Sequence, residues 1–283
     1  FEAFSQPLHL ILADATITGQ SLATRRLSFT IGGIEGQGEY HYDAESARPH
    51  HFRVNLGRVE AAAIEKLLMP ALHRGSFLNY AFNFGRVPEP DWLRSMHADG
   101  SLQVAALDLG GASLTTLRSR VLWDGNQVRL TGLQGFLQDA AFTGAGGVNL
   151  AQRQPRYEFT GKITGFPWRS GDLEADGTLT TAGTGLDLLS NMKAAGKMRG
   201  RNIDLAALDQ WDRIDGSFEW AWNEKNPRLK LGQLVMVSGS DTFQGNAETR
   251  SDGQLVLRAT DGTKQIQASG AVLQGEALKP AVP

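Results

Sequence analysis

His41, Asp43, His50 and His51 lie close together and have the side-chain types that metal sites use. His41 and Asp43 are two apart, so an extended segment puts them on one face. A divalent cation could use this set if the turn that follows folds back onto the strand. The spacing matches no established zinc pattern, and local hydrogen bonding at a surface explains the group more simply. A second candidate is Asp172, Glu174 and Asp176, which alternate and therefore share a face. Paired carboxylates on either side of a sugar perform glycoside hydrolysis; charged side chains guarding a strand against wrong pairing are the simpler account. There is no cysteine, which excludes disulfides, thiol nucleophiles and thiolate-bound metals. Neither a Gly-x-Ser-x-Gly elbow nor a Gly-x-x-x-x-Gly-Lys phosphate loop is present, and Gly32-Gly-Ile-Glu-Gly36 lacks the full dinucleotide fingerprint. The residues point to a chain that is not an enzyme and needs no cofactor.

What positions these side chains is a succession of alternating segments. Leu27-Ser-Phe-Thr-Ile31, Tyr40-His-Tyr42 and Phe52-Arg-Val-Asn-Leu56 each carry apolar residues two apart. Phe52, Val54 and Leu56 then fall on one face, with Arg53 and Asn55 on the other, as in antiparallel strands with one wet face. The same alternation recurs at 101–105, 114–123, 127–130, 156–161 and 176–181. Asp124-Gly125-Asn126 and Ser251-Asp252-Gly253 read as hairpin turns. With 33 glycines against 10 prolines, the chain is expected to turn and bulge often. Asp99-Gly-Ser-Leu102, Asp176-Gly-Thr-Leu179 and Asp215-Gly-Ser-Phe218 look like an internal echo before a strand start, as repeated β units would give, with chance recurrence of Asp-Gly turns as the alternative.

Helical spacing interrupts the pattern at Glu60–Leu72, where Ile64, Leu67, Leu68 and Leu72 form a stripe and Pro70 should end or kink the helix near Met69. Shorter helices are expected at Pro88–His97, Leu186–Met192 and Leu205–Trp211. The fold class is therefore mainly β: an elongated, curved antiparallel sheet with a few short capping helices. Residues 1–98 carry strands and two helices, and residues 99–283 form a glycine-punctuated region continuous with them.

An apolar row on each strand needs a dry cover, from a facing sheet, the helices or a ligand with apolar area of its own. Leu78, Tyr80, Phe82, Phe84, Phe218, Trp220, Trp222, Leu255 and Leu257 are candidates to line a groove for acyl chains, and ordinary core is the competing role for each. The aromatic faces of Trp123, Trp168, Trp220 or Trp222 would alternatively stack on sugars in a carbohydrate-binding module. With 28 basic and 30 acidic side chains the formal charge is −2, which gives no global field to draw nucleic acid or an anionic bilayer. No apolar run reaches the roughly 20 residues a membrane-spanning helix needs. The first residue, Phe1, leads us to expect that an upstream segment has been removed.

Gly36-Gln-Gly-Glu-Tyr-His-Tyr-Asp43, Ala47-Arg-Pro-His-His-Phe52 and Val59-Glu-Ala-Ala-Ala-Ile-Glu-Lys-Leu-Leu-Met-Pro70 resemble AsmA-like proteins. So do Gly171-Asp-Leu-Glu-Ala-Asp-Gly-Thr-Leu179, Leu186–Met192, Ala195–Gly200 and Ile203–Leu205, which are similar to the C-terminal pattern of that family. The resemblance implies a repeating β-groove in the periplasm, held to the bacterial inner membrane by a helix outside this segment. It also implies a part in outer-membrane homeostasis and lipid transport, with phospholipid acyl chains and other envelope proteins as partners. It supplies no catalytic residue; Tyr42, Pro49, Leu67, Leu68, Pro70, Leu188 and Gly196 fall at positions that look structural. The chain is too short to bridge an envelope alone and reads as a periplasmic portion of a longer protein.

Overall fold

The structure is a computed structural model, and it describes residues 2–3, 6–72, 91–109, 113–152, 154–205, 210–222, 227–271 and 279–280. The fold is mainly β. By contacts it divides into two units, one of Phe1–Gln138, Thr143–Phe159 and Ala182–Gly185, the other of Asp139–Phe142, Thr160–Thr181 and Leu186–Pro283.

The first unit opens with β1 (Glu2–Ala3), β2 (Gln6–Thr18), β3 (Ser21–Ile31), β4 (Ile34–Asp43) and β5 (His50–Glu60), each antiparallel to the strand before it. Phe52, Val54 and Leu56 are half-buried while Arg53 and Asn55 are exposed, so the two-residue period sets the faces. Helix α1 (Ala61–Leu72) and the single turn α2 (Asp91–Arg94) then separate β5 from β6 (His97–Asp108). Here the expectation of a wholly antiparallel sheet is corrected: β5 and β6 run parallel, in register from His50↔Ala98 to Glu60↔Asp108. The long connection that carries α1 and α2 returns the chain to its starting end, which is what a parallel pair requires. β7 (Ser113–Asp124) and β8 (Gln127–Leu137) resume the antiparallel order, joined by the Gly125-Asn126 turn. β9 (Ala140–Asn149) and β10 (Arg156–Trp168) follow, and each is divided between the two units.

Ala63, Ile64 and Leu67 of α1 pack on the buried cluster of Ile34, Val59 and Val104. The helix continues past Pro70 to Leu72 instead of ending near Met69. Leu93 of α2 is fully buried with Leu150, against Trp123 and Val148. Of the helix expected over Pro88–His97, Asp91–Arg94 is helical and His97 already belongs to β6, while residues 88–90 lie outside the described residues.

The second unit holds β11 (Gly171–Ala182), α3 (Leu186–Ser190), β12 (Lys193–Asp204), β13 (Gln210–Trp222), β14 (Pro227–Ser238), β15 (Asp241–Thr249), β16 (Leu255–Thr260), β17 (Gln265–Gly270) and β18 (Lys279–Pro280). From β11 to β18 every strand pairs antiparallel with the next. Of the helix expected at Leu205–Trp211, Gln210 and Trp211 are strand instead, and residues 206–209 lie outside the described residues. Trp211 lies edge-on to Phe243, with ring centroids 5.6 Å apart, and burial of that ring favours the extended backbone at its position.

The three Asp-Gly echoes are not turns; they lie inside β6, β11 and β13. At Gly100 the reason is a close approach: a Cβ there would sit 2.5 Å from Phe52 Cδ2 on the neighbouring strand. Gly36 likewise leaves room for the ring of Phe29 and a methyl of Leu56. Strand glycines thus let large side chains lie flat over the backbone beside them. Register shifts mark bulges in β3, β7, β8 and β14, where Arg26, Thr116, Gly132 and Gln233 take φ of 53°, 53°, 61° and 51°. Each extra residue bends its strand and re-aims the side chains on either side. Among the described residues no helix is long and apolar enough to cross a membrane.

Candidate functional site

Two surfaces hold the side chains that could bind something. The first is the apolar face of the second unit. Its registers stack Gly196, Phe218 and Leu231 across β12, β13 and β14, and Ala194, Trp220 and Leu229 beside them. Along β13 the cover thins: Trp211 and Ile214 are 3% and 6% exposed, Phe218 and Trp220 are half-buried, and Trp222 is 38% exposed. Leu255 and Leu257 are 5% and 4% exposed and belong to a closed cluster with Ile203, Trp211, Leu234, Met236 and Phe243. The groove candidates therefore separate. Leu255 and Leu257 are packed by the protein's own side chains, whereas Phe218, Trp220 and Trp222 step out toward solvent. Leu78, Tyr80, Phe82 and Phe84 lie outside the described residues. Sequence reading passed over β2, where Leu10, Ile11, Leu12 and Ile17 are 41%, 69%, 54% and 77% exposed. Two register shifts interrupt that strand, so simple alternation does not find its faces.

The second surface is a polar dish of 530 Å³ on the first unit. Two rungs of cross-strand neighbours build it. His41, His51 and Asp99 are opposite one another on β4, β5 and β6; Glu39, Arg53, Ser101 and Arg120 make the next rung through β7. The imidazoles of His41 and His51 stack with centroids 6.1 Å apart and planes 28° from parallel. Arg120 grips Asp99 through two bonds of 2.9 and 2.6 Å, which hold that carboxyl below the usual carboxylate range. Arg53 and Glu39 are looser, 3.6 Å apart, and both are well exposed. The bulge at Arg25-Arg26 sets two β3 residues opposite Glu39, and Arg25 enters the lining of the dish. Arg25, Arg53 and Arg120 were not foreseen: each looks like an ordinary wet-face residue until the register puts them side by side.

A charged knot closes the edge of this unit. Arg48 donates to both oxygens of Asp124 at 3.1 and 2.7 Å, and His97 lies 3.4 Å from the same carboxyl. Chiefly through Arg48, Asp124 is held down to about 2. On the opposite face the Tyr40 hydroxyl meets His50 Nδ1 at 2.7 Å. Burial raises Tyr40 and lowers His50, which favours the neutral form of both partners in this hydrogen bond. The four residues weighed as metal ligands are thus divided, with His50 turned to Tyr40 and Tyr42 while His41 and His51 face the dish. Among the described residues no group of three His, Asp or Glu side chains is placed to hold a metal.

Glu174 of the alternating acids lies 3.6 Å from both Lys162 and Arg201, which gives it ion partners on two sides. Trp123 donates its Nε1–H to the Gly125 carbonyl, and Trp168 packs on the closed cluster. The rings of Trp220 and Trp222 are inclined at 56° and make no flat platform.

No family model, curated protein or solved structure matches this chain.

Proposed function

We propose that this chain is a non-enzymatic periplasmic segment of an AsmA-like envelope protein. In this reading it guides phospholipid along the apolar face of its second unit, as part of outer-membrane homeostasis. The observation that carries the reading is the gradient along β13, from buried Trp211 and Ile214 to exposed Trp222 on one apolar row. A core sealed all along would leave no place for a guest. Here the aromatic end is open, and an acyl chain laid against Phe218, Trp220 and Leu229 removes apolar area from water at about 0.8 kcal/mol per methylene. The antiparallel succession of strands and the AsmA-like stretches described above favour the same reading. Tethering to the inner membrane is assigned to a segment outside this one, and other envelope proteins are its expected neighbours.

A photo-reactive residue at Trp222 tests the proposal. With diacyl phospholipid present, crosslinking to acyl chains is expected there and not at a wet-face position such as Lys230 on β14. Mass spectrometry of gently purified protein should also find co-purifying lipid. Lipid-free protein that gives no acyl crosslink at position 222 would refute the reading.

A further inference from the structure

We propose that the polar dish of the first unit is a binding site for a phosphate group, on the face opposite the apolar row of that sheet. The inference is independent of the lipid proposal, which rests on the second unit.

Three arginines, Arg25, Arg53 and Arg120, and only two carboxylates, Glu39 and Asp99, line the dish together with His41 and His51. Its volume of 530 Å³ falls in the range of small-ligand pockets. The charges do not simply cancel. Asp99 is fully engaged by the two-bond grip of Arg120, which fixes one wall. Glu39 reaches Arg53 only at 3.6 Å, and Arg25 is exposed and makes no ion pair among the described residues. Two guanidinium groups thus remain able to accept an anion as partner, with the stacked imidazoles beside them and the Ser101 hydroxyl on the next strand.

Register explains why these groups converge. Arg53 stands between Glu39 and Ser101 on its rung, and His51 between His41 and Asp99 on the other. Adjacent strands lie about 4.8 Å apart, so an ion a few ångströms across touches two or three strands at once. Arg25 joins them because the bulge turns it toward the same rung, while its neighbour Arg26 leans to Asp14 at 3.9 Å. A tetrahedral oxyanion suits this set: guanidinium forks donate in pairs to its oxygens, and imidazole and hydroxyl hydrogens take the remaining ones. A bare metal cation does not suit it, because the arginines would repel it.

Inorganic phosphate is the first probe, followed through the imidazole cross-peaks of the full chain in NMR. Saturable shifts of His41 and His51, without shifts of His9 or His97, are expected. Arg53→Gln and Arg25→Gln should each weaken binding about ten-fold or more, the loss of charge-assisted hydrogen bonds. Arg228→Gln, on the wet face of β14, should leave it unchanged. Glu39→Gln should tighten binding by removing the competing acceptor, an effect that a merely structural role for Arg53 does not produce. Phosphatidylcholine vesicles with and without phosphatidic acid form the second arm. Association that needs phosphatidic acid and fails in Arg53→Gln assigns the phosphate to a lipid headgroup; binding of the free ion alone assigns it to a soluble phosphate. No binding in either arm, or binding indifferent to Arg25, Arg53 and Glu39, overturns the proposal.

Discussion

The two units cover their apolar rows by different means. In the first, the row is broken into small clusters, and helices from the β5–β6 connection cover them: α1 over Ile34, Val59 and Val104, α2 through Leu93 against Trp123 and Leu150. In the second, one cluster runs from Ile203 through Trp211, Met236 and Phe243 to Leu257 and Ala268, and among the described residues its buried members lie on strands or beside them. A core closed by plugs can be opened one plug at a time, whereas a core made of neighbouring strands stands or falls with their registers. The wet faces differ as well. That of the first unit gathers arginines and histidines into a dish, while that of the second pairs Arg199 and Arg213 with Asp215 and Lys264 with Asp241.

The largest test of this contrast is Leu257→Asp. Placing an unpaired carboxylate in the continuous cluster should unfold the second unit, seen as loss of near-ultraviolet dichroism from Trp211. Survival of the fold would show that the cluster is open. Leu93→Ala should cost about 2–3 kcal/mol in denaturant titration, at the lower end for a buried leucine because its small cluster can collapse. A cost equal to that of truncating Met236 in the long cluster would erase the distinction between plugged and continuous cores.

Gly100→Ala should destabilise by about 1–3 kcal/mol, since the added carbon meets both the ring and the backbone of Phe52. Adding Phe52→Ala removes the ring but leaves the carbonyl, so the double variant should cost less than the sum of the two changes. Additive costs would mean that the ring does not rest over the glycine.

Acid stability sharpens the comparison further. Asp124 titrates near 2 in the fold against 3.8 for a free carboxyl, so its ion pair stabilises the first unit above about pH 4 and is lost as pH falls toward 2. Asp124→Asn should flatten the stability profile over that window. His50, lowered by burial, adds a second loss on acidification, beginning below its ordinary value of 6.5. His50→Gln should remove it, measured as melting temperature against pH. The smallest effect is expected at Trp222→Ala: a stability change below about 1 kcal/mol, because the ring is partly in water already.

Much of the fold was legible because burial on one side of a strand imposes a period of two, as at Phe52, Val54 and Leu56. The hairpins at Gly125 and Gly253 were legible for a local reason too, since turn chemistry resides in two or three residues. Strand glycines were misread as turns because the ring that needs the space at Gly100 comes from Phe52, which local sequence does not bring to mind. The parallel step was missed although the strand–helix–strand order preceding it was visible. The dish was legible only in its histidines, His41 and His51: Arg25, Arg53 and Arg120 join them only through pairing registers, and Arg25 arrives through a bulge. Of the apolar candidates, alternation found Phe218 and Leu257 alike but could not separate an open row from a filled one, since both need the same pattern.

The parallel pairing of β5 with β6 has a kinetic consequence. The meander from β2 to β5 and the hairpins of β6 to β8 bring together residues close in sequence, and such pieces zip within microseconds. Joining them means closing the long connection that carries α1 and α2 before any bond between β5 and β6 rewards it. Refolding of the first unit should therefore wait on that single docking event, and shortening the connection should hasten it.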